Sequence, residues 1–412
     1  MNILLIHQYF KEKDLAGGVR FNQMTRIWKE QGHNITVIAG TIHGNASAKT
    51  NKEFKGRFVT KTDQDGITVF RCYVSESYNS GFIGRLWGYI SFILSGLYAS
   101  IFKTGREHDL IVVTSPPLFV GIIAMTVARL KKIPMVFEVR DLWPESVIDT
   151  GVVKNKILIR FSYWLEKKCY RKASLINVLT PAFKKVLIEK KEISPEKIIM
   201  IPNAADFSMS EQLLETFDRK QFRLKNNLDT HFVITYVGAH GVANGLYQVL
   251  ETAKILKNTN VLFLLIGNGI SKQKLVEQAN QEEINNIRFL DSMPKQDVLK
   301  YVMASDMGTS VLLKNDTFKT IYSNKTFDYM SCKIPILMVI DGVSRELVEK
   351  ADAGIYVEPE NPEDFAEKIR YYFNENEKLK QQGENGYAYA KEHFDRDKLA
   401  MQYLHEIEKL VS

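Results

Sequence analysis

Asn2-Ile3-Leu4-Leu5-Ile6-His7 is an apolar run that reads as a buried strand. A loop with Gly17-Gly18-Val19-Arg20 follows, then an amphipathic helix from Phe21 to Gln31, then a second strand, Asn34 to Ala39. Strand, glycine-bearing loop, helix and strand make a βαβ unit, hence a parallel sheet with helices on its faces. Further apolar runs continue this rhythm at Asp109–Thr114, Pro134–Glu138, Ser174–Thr180 and Lys197–Ile201. After a polar stretch at 207–230, which reads as a linker with a lead-in helix, the pattern restarts. Its strands are Phe232–Gly238, Val261–Gly267, Ile287–Leu290, Ala304–Ser310 and Gly354–Val357. A chain of 412 residues is too long for one ordinary core, so two α/β, Rossmann-like, doubly wound domains of roughly 200 residues are expected. The boundaries fall at 1–205 and 206–390, with a last helix at 391–412 folding back on the first domain.

Charge is unequally shared. Residues 1–200 hold 30 Lys and Arg against 17 Asp and Glu, whereas 201–412 hold 25 against 31. A basic first half implies an anionic partner: nucleic acid, anionic lipid or a phosphorylated substrate. Nucleic acid is the weakest of these, because the cations are not interleaved with aromatics along one strip. Cys72, Cys169 and Cys332 are far apart and form neither a metal nor a disulfide pattern, which fits a reducing cytosol. Met1-Asn2-Ile3 lacks a basic leader region and reads as the entry to a strand rather than as a signal peptide.

Ser323-Asn324-Lys325-Thr326-Phe327-Asp328 reads as a helix start before a buried strand, Ile334 to Met338. Ser323 and Asn324 can cap free N–H groups, and Lys325 in the first turn adds its charge to the helix dipole to hold an anion. Asp328 follows three residues on, where its carboxylate can meet sugar hydroxyls. The plain alternative is a Lys–Asp pair on a solvated helix. Gly238-Ala239-His240-Gly241 is a strand-to-helix turn able to approach a pyrophosphate, although Gly238, Gly241 and Gly245 lack the dinucleotide spacing.

In the first half, Arg140, Asp141 and Glu145 stand just beyond a strand's C-terminal end, where open α/β sheets bind ligands. A structural Arg–Asp pair is the alternative. Gly17 and Gly18 permit close backbone approach, and Arg20 adds a fixed charge. His7 is either a site residue or a core histidine. Asp63-Gln64-Asp65 has metal-site spacing but lies in the polar stretch 41–66, which reads as an irregular surface loop. No metal site is expected.

The 16 residues from Trp87 to Phe102 carry no charge, with Arg85 before and Lys103 and Arg106 after them. A membrane span needs about 20 apolar residues, so the stretch suits either a helix at a bilayer surface or one buried against the sheet.

Together, Gly17-Gly18, Arg140-Asp141-Leu142-Trp143-Pro144, Ile201-Pro202-Asn203-Ala204-Ala205-Asp206, Gly238-Ala239-His240-Gly241 and Ser323-Asn324-Lys325…Asp328 resemble retaining glycosyltransferases of family four. The Arg-Asp-Leu-Trp-Pro element and His240-Gly241 look most like the O-antigen and capsule subgroup, including N-acetylfucosaminyltransferases. The resemblance implies the GT-B fold, two Rossmann-like domains with a cleft between them, and a nucleotide-sugar donor, UDP by default. It implies no cofactor and no bound metal, because helix ends and cations stabilise the departing diphosphate.

The family's two acidic donor residues, seven residues apart, correspond to Thr320 and Asp328. The second keeps a carboxylate for the ribose, while the first is uncharged. Leu290 to Met293 corresponds to where the family holds the base through its backbone. Asp141, Glu145 and Arg140 are the expected catalytic group, orienting the acceptor hydroxyl or steadying an oxocarbenium-like centre. The acceptor implied is lipid-linked or a saccharide, at the cytoplasmic face of the plasma membrane, with peripheral contact through 82–106. A UDP-sugar 2-epimerase and a non-catalytic sugar- or lipid-binding protein remain as alternatives.

Overall fold

The computed structural model describes residues 1–12, 20–42, 52–79, 81–149, 153 and 155–411. Gly17 and Gly18 lie outside the described residues. The chain divides into two units, Met1–Pro202 with Asp397–Ser412, and Asn203–Arg396.

The first unit begins with β1 (Asn2–Ile6), α1 (Arg20–Glu30), β2 (Asn34–Gly40), β3 (Val59–Gln64) and β4 (Ile67–Cys72). It continues with α2 (Gly81–Phe102), β5 (Leu110–Ser115), α3 (Val120–Lys131), β6 (Met135–Val139) and α4 (Glu145–Asp149). Last come α5 (Lys156–Lys172), β7 (Leu175–Val178), α6 (Pro181–Glu189) and β8 (Ile198–Met200). The sheet order is β3-β4-β2-β1-β5-β6-β7-β8, parallel except for β3. Central β1 has Leu4 beside Thr36 and Ile111, and Ile3 to Ile6 are wholly buried, as a strand covered on both faces requires.

The expected loop at 41–66 is partly a strand. Val59-Thr60-Lys61-Thr62-Asp63-Gln64 alternates in burial and pairs with β4 through a tight turn, where Asp65 and Gly66 take positive φ. Asp63 Oδ1 accepts from the Gly66 N–H, so this carboxylate is a turn residue. The uncharged stretch forms α2, which has both a buried and an exposed face. Among the described residues no helix is long and apolar enough to cross a membrane.

The second unit opens with α7 (Phe207–Thr216) and α8 (Arg219–Lys225), each capped by an aspartate, Asp206 and Asp218, two helices where a linker with one lead-in helix was expected. Then follow β9 (Phe232–Val237), α9 (Tyr247–Ile255), β10 (Val261–Ile266), α10 (Lys272–Gln281), β11 (Ile287–Leu290) and α11 (Lys295–Ala304). β12 (Met307–Val311), α12 (Asn324–Ser331), β13 (Ile336–Val339), α13 (Val343–Lys350) and β14 (Gly354–Tyr356) complete an all-parallel sheet. α14 (Pro362–Tyr372) and α15 (Asn376–His393) close the unit. α16 (Arg396–Glu408) returns to the first unit from Asp397 on, where Trp28 Nε1 donates to the Ala400 carbonyl.

Candidate functional site

In the second unit the strands lie in the order β11-β10-β9-β12-β13-β14, so the winding reverses between β9 and β12. A crevice outside the C-terminal ends of those two strands is where such sheets take ligands. β9 and β12 pair only at Ile234–Met307 and Thr235–Gly308, then part. Tyr329 of α12 fills the gap. Its hydroxyl accepts from the Val237 N–H (3.1 Å) and lies 3.0 Å from both the Thr235 and Thr309 carbonyls. Gly308 leaves room for the ring: a Cβ there would stand 2.5 Å from it.

Tyr329 thereby fixes α12, whose N-terminus carries the expected anion-binding residues. Ser323 is the N-cap by position, but its hydroxyl is 3.3 Å from Ser310 Oγ and makes no cap bond, contrary to expectation. The first-turn N–H groups therefore lack a side-chain acceptor from their own cap. Asn324 is exposed beside them. Lys325 Nζ lies 4.6 Å over the Tyr236 ring, and among the described residues no carboxylate pairs with it. Burial pulls its pKa down to about 8. The plain alternative, a Lys325–Asp328 pair, is not formed among the described residues. Asp328 Oδ1 instead takes Lys295, at the start of α11, at 2.7 Å. Thr320 Oγ1 donates to the Thr317 carbonyl (2.6 Å), closing a short turn.

Two glycine turns interlock beside this helix. The His240 N–H donates to the Asn268 carbonyl (3.0 Å), and the His240 carbonyl accepts from Ser271 (2.9 Å). Gly267 has φ +148°, and a Cβ on it would lie 1.9 Å from the Gly238 carbonyl oxygen, so only glycine fits. The His240 ring is fully buried, with neither ring nitrogen hydrogen-bonded. Burial, then the nearby Lys272 charge, lower its pKa to about 4 and keep it neutral. Lys272 Nζ reaches the carbonyls of Gly267 (2.9 Å) and Leu290 (2.9 Å) and the Asp291 carboxylate (2.7 Å). The Leu290 carbonyl also accepts from Gly267, so it belongs to the frame. Met293 is half-buried at the same sheet edge, and Gly241 turns the chain with its N–H on Asn244 Oδ1.

At the strand ends of the first unit Arg20 and Glu145 are matched internally. Arg20 pairs with wholly buried Glu138 and also donates to the Ile201 (2.7 Å) and Pro202 carbonyls. Asn177 completes the Glu138 carboxylate at 2.9 Å. The charge that the sequence offered to a ligand is thus compensated within the fold. Glu145 likewise bonds Lys191, which also holds Glu166 at 2.8 Å, so it stands in an ion network rather than alone at the sheet edge. Burial raises Glu166 to about 7, against the pull of Lys191. Arg140 Nη1 meets His7 Nε2 at 3.2 Å, and its backbone N–H donates to Ser115. Burial raises the Asp141 pKa, opposed by hydrogen bonds from Ser146 and the Leu142 backbone. Arg140, Asp141 and His7 are therefore gathered at one end of the sheet.

Sequence reading missed Lys272, Lys295, Tyr236 and Tyr329, and Glu138 with Asn177. The two lysines had a signal: each stands at the first residue of a helix just after a strand's C-terminal turn. The others act through contacts more than twenty residues distant in sequence or through the sheet.

Residues 16–204 match the glycosyl transferase 4-like domain, and residues 218–389 match the glycosyl transferases of group 1. A putative colanic acid biosynthesis glycosyl transferase of Escherichia coli, WcaI, is 22% identical, covering 69% of this chain and 70% of its own. The probable glycosyltransferase WbjE of Pseudomonas aeruginosa is 22% identical over 56% of this chain and 58% of its own. Among solved structures, sucrose-phosphate synthase from Thermosynechococcus elongatus superposes with a TM-score of 0.75 at 14% identity, over 99% and 98% of the two chains. Anabaena HepE in complex with UDP gives 0.73 at 18% identity over 100% of both. By its two glycosyltransferase domains and its GT-B fold, the chain is a GT4-type glycosyltransferase.

Proposed function

We propose that the chain moves a sugar from a UDP-linked donor, with retention of configuration, onto a lipid-linked or saccharide acceptor in bacterial surface polysaccharide synthesis. The observation that carries this reading is Lys325, a cation with no carboxylate partner among the described residues, at the open N-terminus of α12 and at the reversal point of the sheet. A diphosphate there meets the ammonium and the first-turn N–H groups together, and these stabilise the leaving group without a metal. Asp328, one turn on, takes the ribose hydroxyls, and Leu290 to Met293 border the base. His240 and Gly241 shape the turn beneath the diphosphate.

The relatives' names favour polysaccharide assembly, and the UDP and UDP-glucose complexes of HepE favour a uridine donor. An amino or deoxyamino sugar is the donor sugar we favour, on the Arg140–Pro144 resemblance. Asp141 and Arg140 orient the acceptor hydroxyl in the first unit. Exposed apolar residues of α2 suit peripheral contact at the inner face of the plasma membrane, where lipid-linked acceptors reside.

A second reading, donor binding without transfer, is favoured by Thr320, an uncharged residue bonded to its own turn. Calorimetric titration with UDP and GDP is the first test. UDP should bind, and Asp328→Ala should weaken it about tenfold, about 1.4 kcal/mol. No binding, or a variant equal to the parent, overturns the site. Release of UDP from UDP-sugar only when acceptor is added separates transfer from plain binding, and turnover without acceptor would indicate epimerisation.

A further inference from the structure

The first unit carries a second exposed apolar face that the sequence reading did not single out. On α5, Ile157, Phe161 and Trp164 recur at helical spacing and are exposed, Trp164 by 54%. On α2 the matching ridge is Ile83, Trp87, Ile90, Leu94 and Phe102, with Trp87 exposed by 53%. α3 packs against both helices.

An unbroken ring series joins the two faces. Tyr89 of α2 stacks on Phe119 (5.0 Å), Phe119 on Phe161 (6.4 Å) and Phe161 on Trp164 (5.6 Å). Phe119 also meets Trp143 edge-on at 5.8 Å, two residues from Asp141.

Charge decides what covers these faces. α2, α3 and α5 together carry nine Lys and Arg and one acid, Glu166, which is buried. On α5, Arg160, Lys167 and Lys168 are exposed beside the apolar residues, and the Lys168 ammonium lies 5.8 Å over Trp164. A tryptophan flanked by cations, on helices that carry no exposed acid of their own, suits the headgroup layer of an anionic bilayer.

We propose that α5 is a second bilayer-contacting element, and that α2 and α5 together seat the first unit on an anionic membrane with the Phe161–Phe119–Trp143 rings leading inward from it. This extends the lipid-linked-acceptor reading by naming the surface on which such an acceptor is met. It makes one apolar patch plus cations into two patches, and membrane residence that depends on two signals is lost steeply when either is removed.

The test is co-sedimentation of the full chain with phosphatidylcholine vesicles, with and without phosphatidylglycerol. The parent should bind only the anionic vesicles, and less as salt rises. Phe161→Ala with Trp164→Ala, and separately Lys167→Glu with Lys168→Glu, should each cut binding about tenfold or more, at unchanged circular dichroism. Vesicles of brominated lipid should quench tryptophan fluorescence in a Trp87→Phe background more than in one that also carries Trp164→Phe, the difference reporting Trp164.

Absence of binding to anionic vesicles, unaltered binding by both α5 double variants, or unquenched Trp164 overturns the proposal. So does a parent dimer in light scattering that either α5 double variant turns into monomer, since the face would then seat a second copy. The UDP titration reads residues of the other unit. Loss of vesicle binding with UDP binding intact therefore fails this proposal alone, and loss of UDP binding with vesicle binding intact fails only the donor-site reading.

Discussion

Two cations at sheet ends, one in each unit, are treated in opposite ways. Arg20 in the first is enclosed with Glu138, Asn177 and two carbonyls, a closed set in which each charge has its complement. Lys325 in the second has an aromatic face and, among the described residues, no carboxylate, and its pKa falls to about 8. Both lie near the C-terminal ends of interior strands in a Rossmann-like unit, so fold position alone does not separate them. The partner does. A compensated cation holds its own unit together, whereas an uncompensated one costs stability until a ligand supplies the missing anion.

That contrast is most exposed to Arg20→Met, which leaves Glu138 charged, buried and short of its partner. It should lower stability by about 3–5 kcal/mol in urea unfolding. Lys325→Met should instead fold as well as the parent and lose UDP binding by about 2–3 kcal/mol, read by calorimetry. If both variants lost stability equally, the contrast would be broken.

Titration sharpens it. Free Lys325 gives up its proton above about pH 8, so UDP affinity should fall as pH rises past that point and stay flat in Lys325→Met. Asp328→Ala comes next in size, about tenfold in UDP affinity, and Lys295→Met should weaken UDP less, since Lys295 only anchors that carboxylate.

A further pH effect lies in the first unit. Glu166, raised from 4.5 to about 7, keeps its proton in the folded chain where the unfolded chain releases it. Stability should decline as pH rises across that window, and Glu166→Gln should flatten the decline seen in thermal unfolding. A parent with no such decline would mean that Lys191 fully compensates both carboxylates.

The strands were legible because parallel sheets bury both faces, and runs such as Ile3–Ile6 and Val261–Ile266 carry no other reading. Lys325 and Asp328 were also visible, as a helix start at a strand end. Their partners were not. Lys295 is 33 residues from Asp328, and Glu138 is 118 from Arg20, so spacing along the chain says nothing of either pairing. β3 was missed because an edge strand of Thr, Lys and Asp has little hydrophobic signal. The exposed face of α5 was hidden by its own lysines, which make it read as an ordinary solvated helix until Phe119 is found between it and α2.

Tyr329 has a consequence for how such a site can diversify. Its one hydroxyl ties α12 to both strands at the point where they part, so the helix's height and rotation are set from below, by atoms no ligand touches. Residues on the outward turn, Asn324, Lys325 and Asp328, can then be exchanged while the platform stays level. On the proposed reading, a lineage could trial new donors by altering the rim of α12 without redesigning its seat, provided the phenol and Gly308 beneath it are kept together.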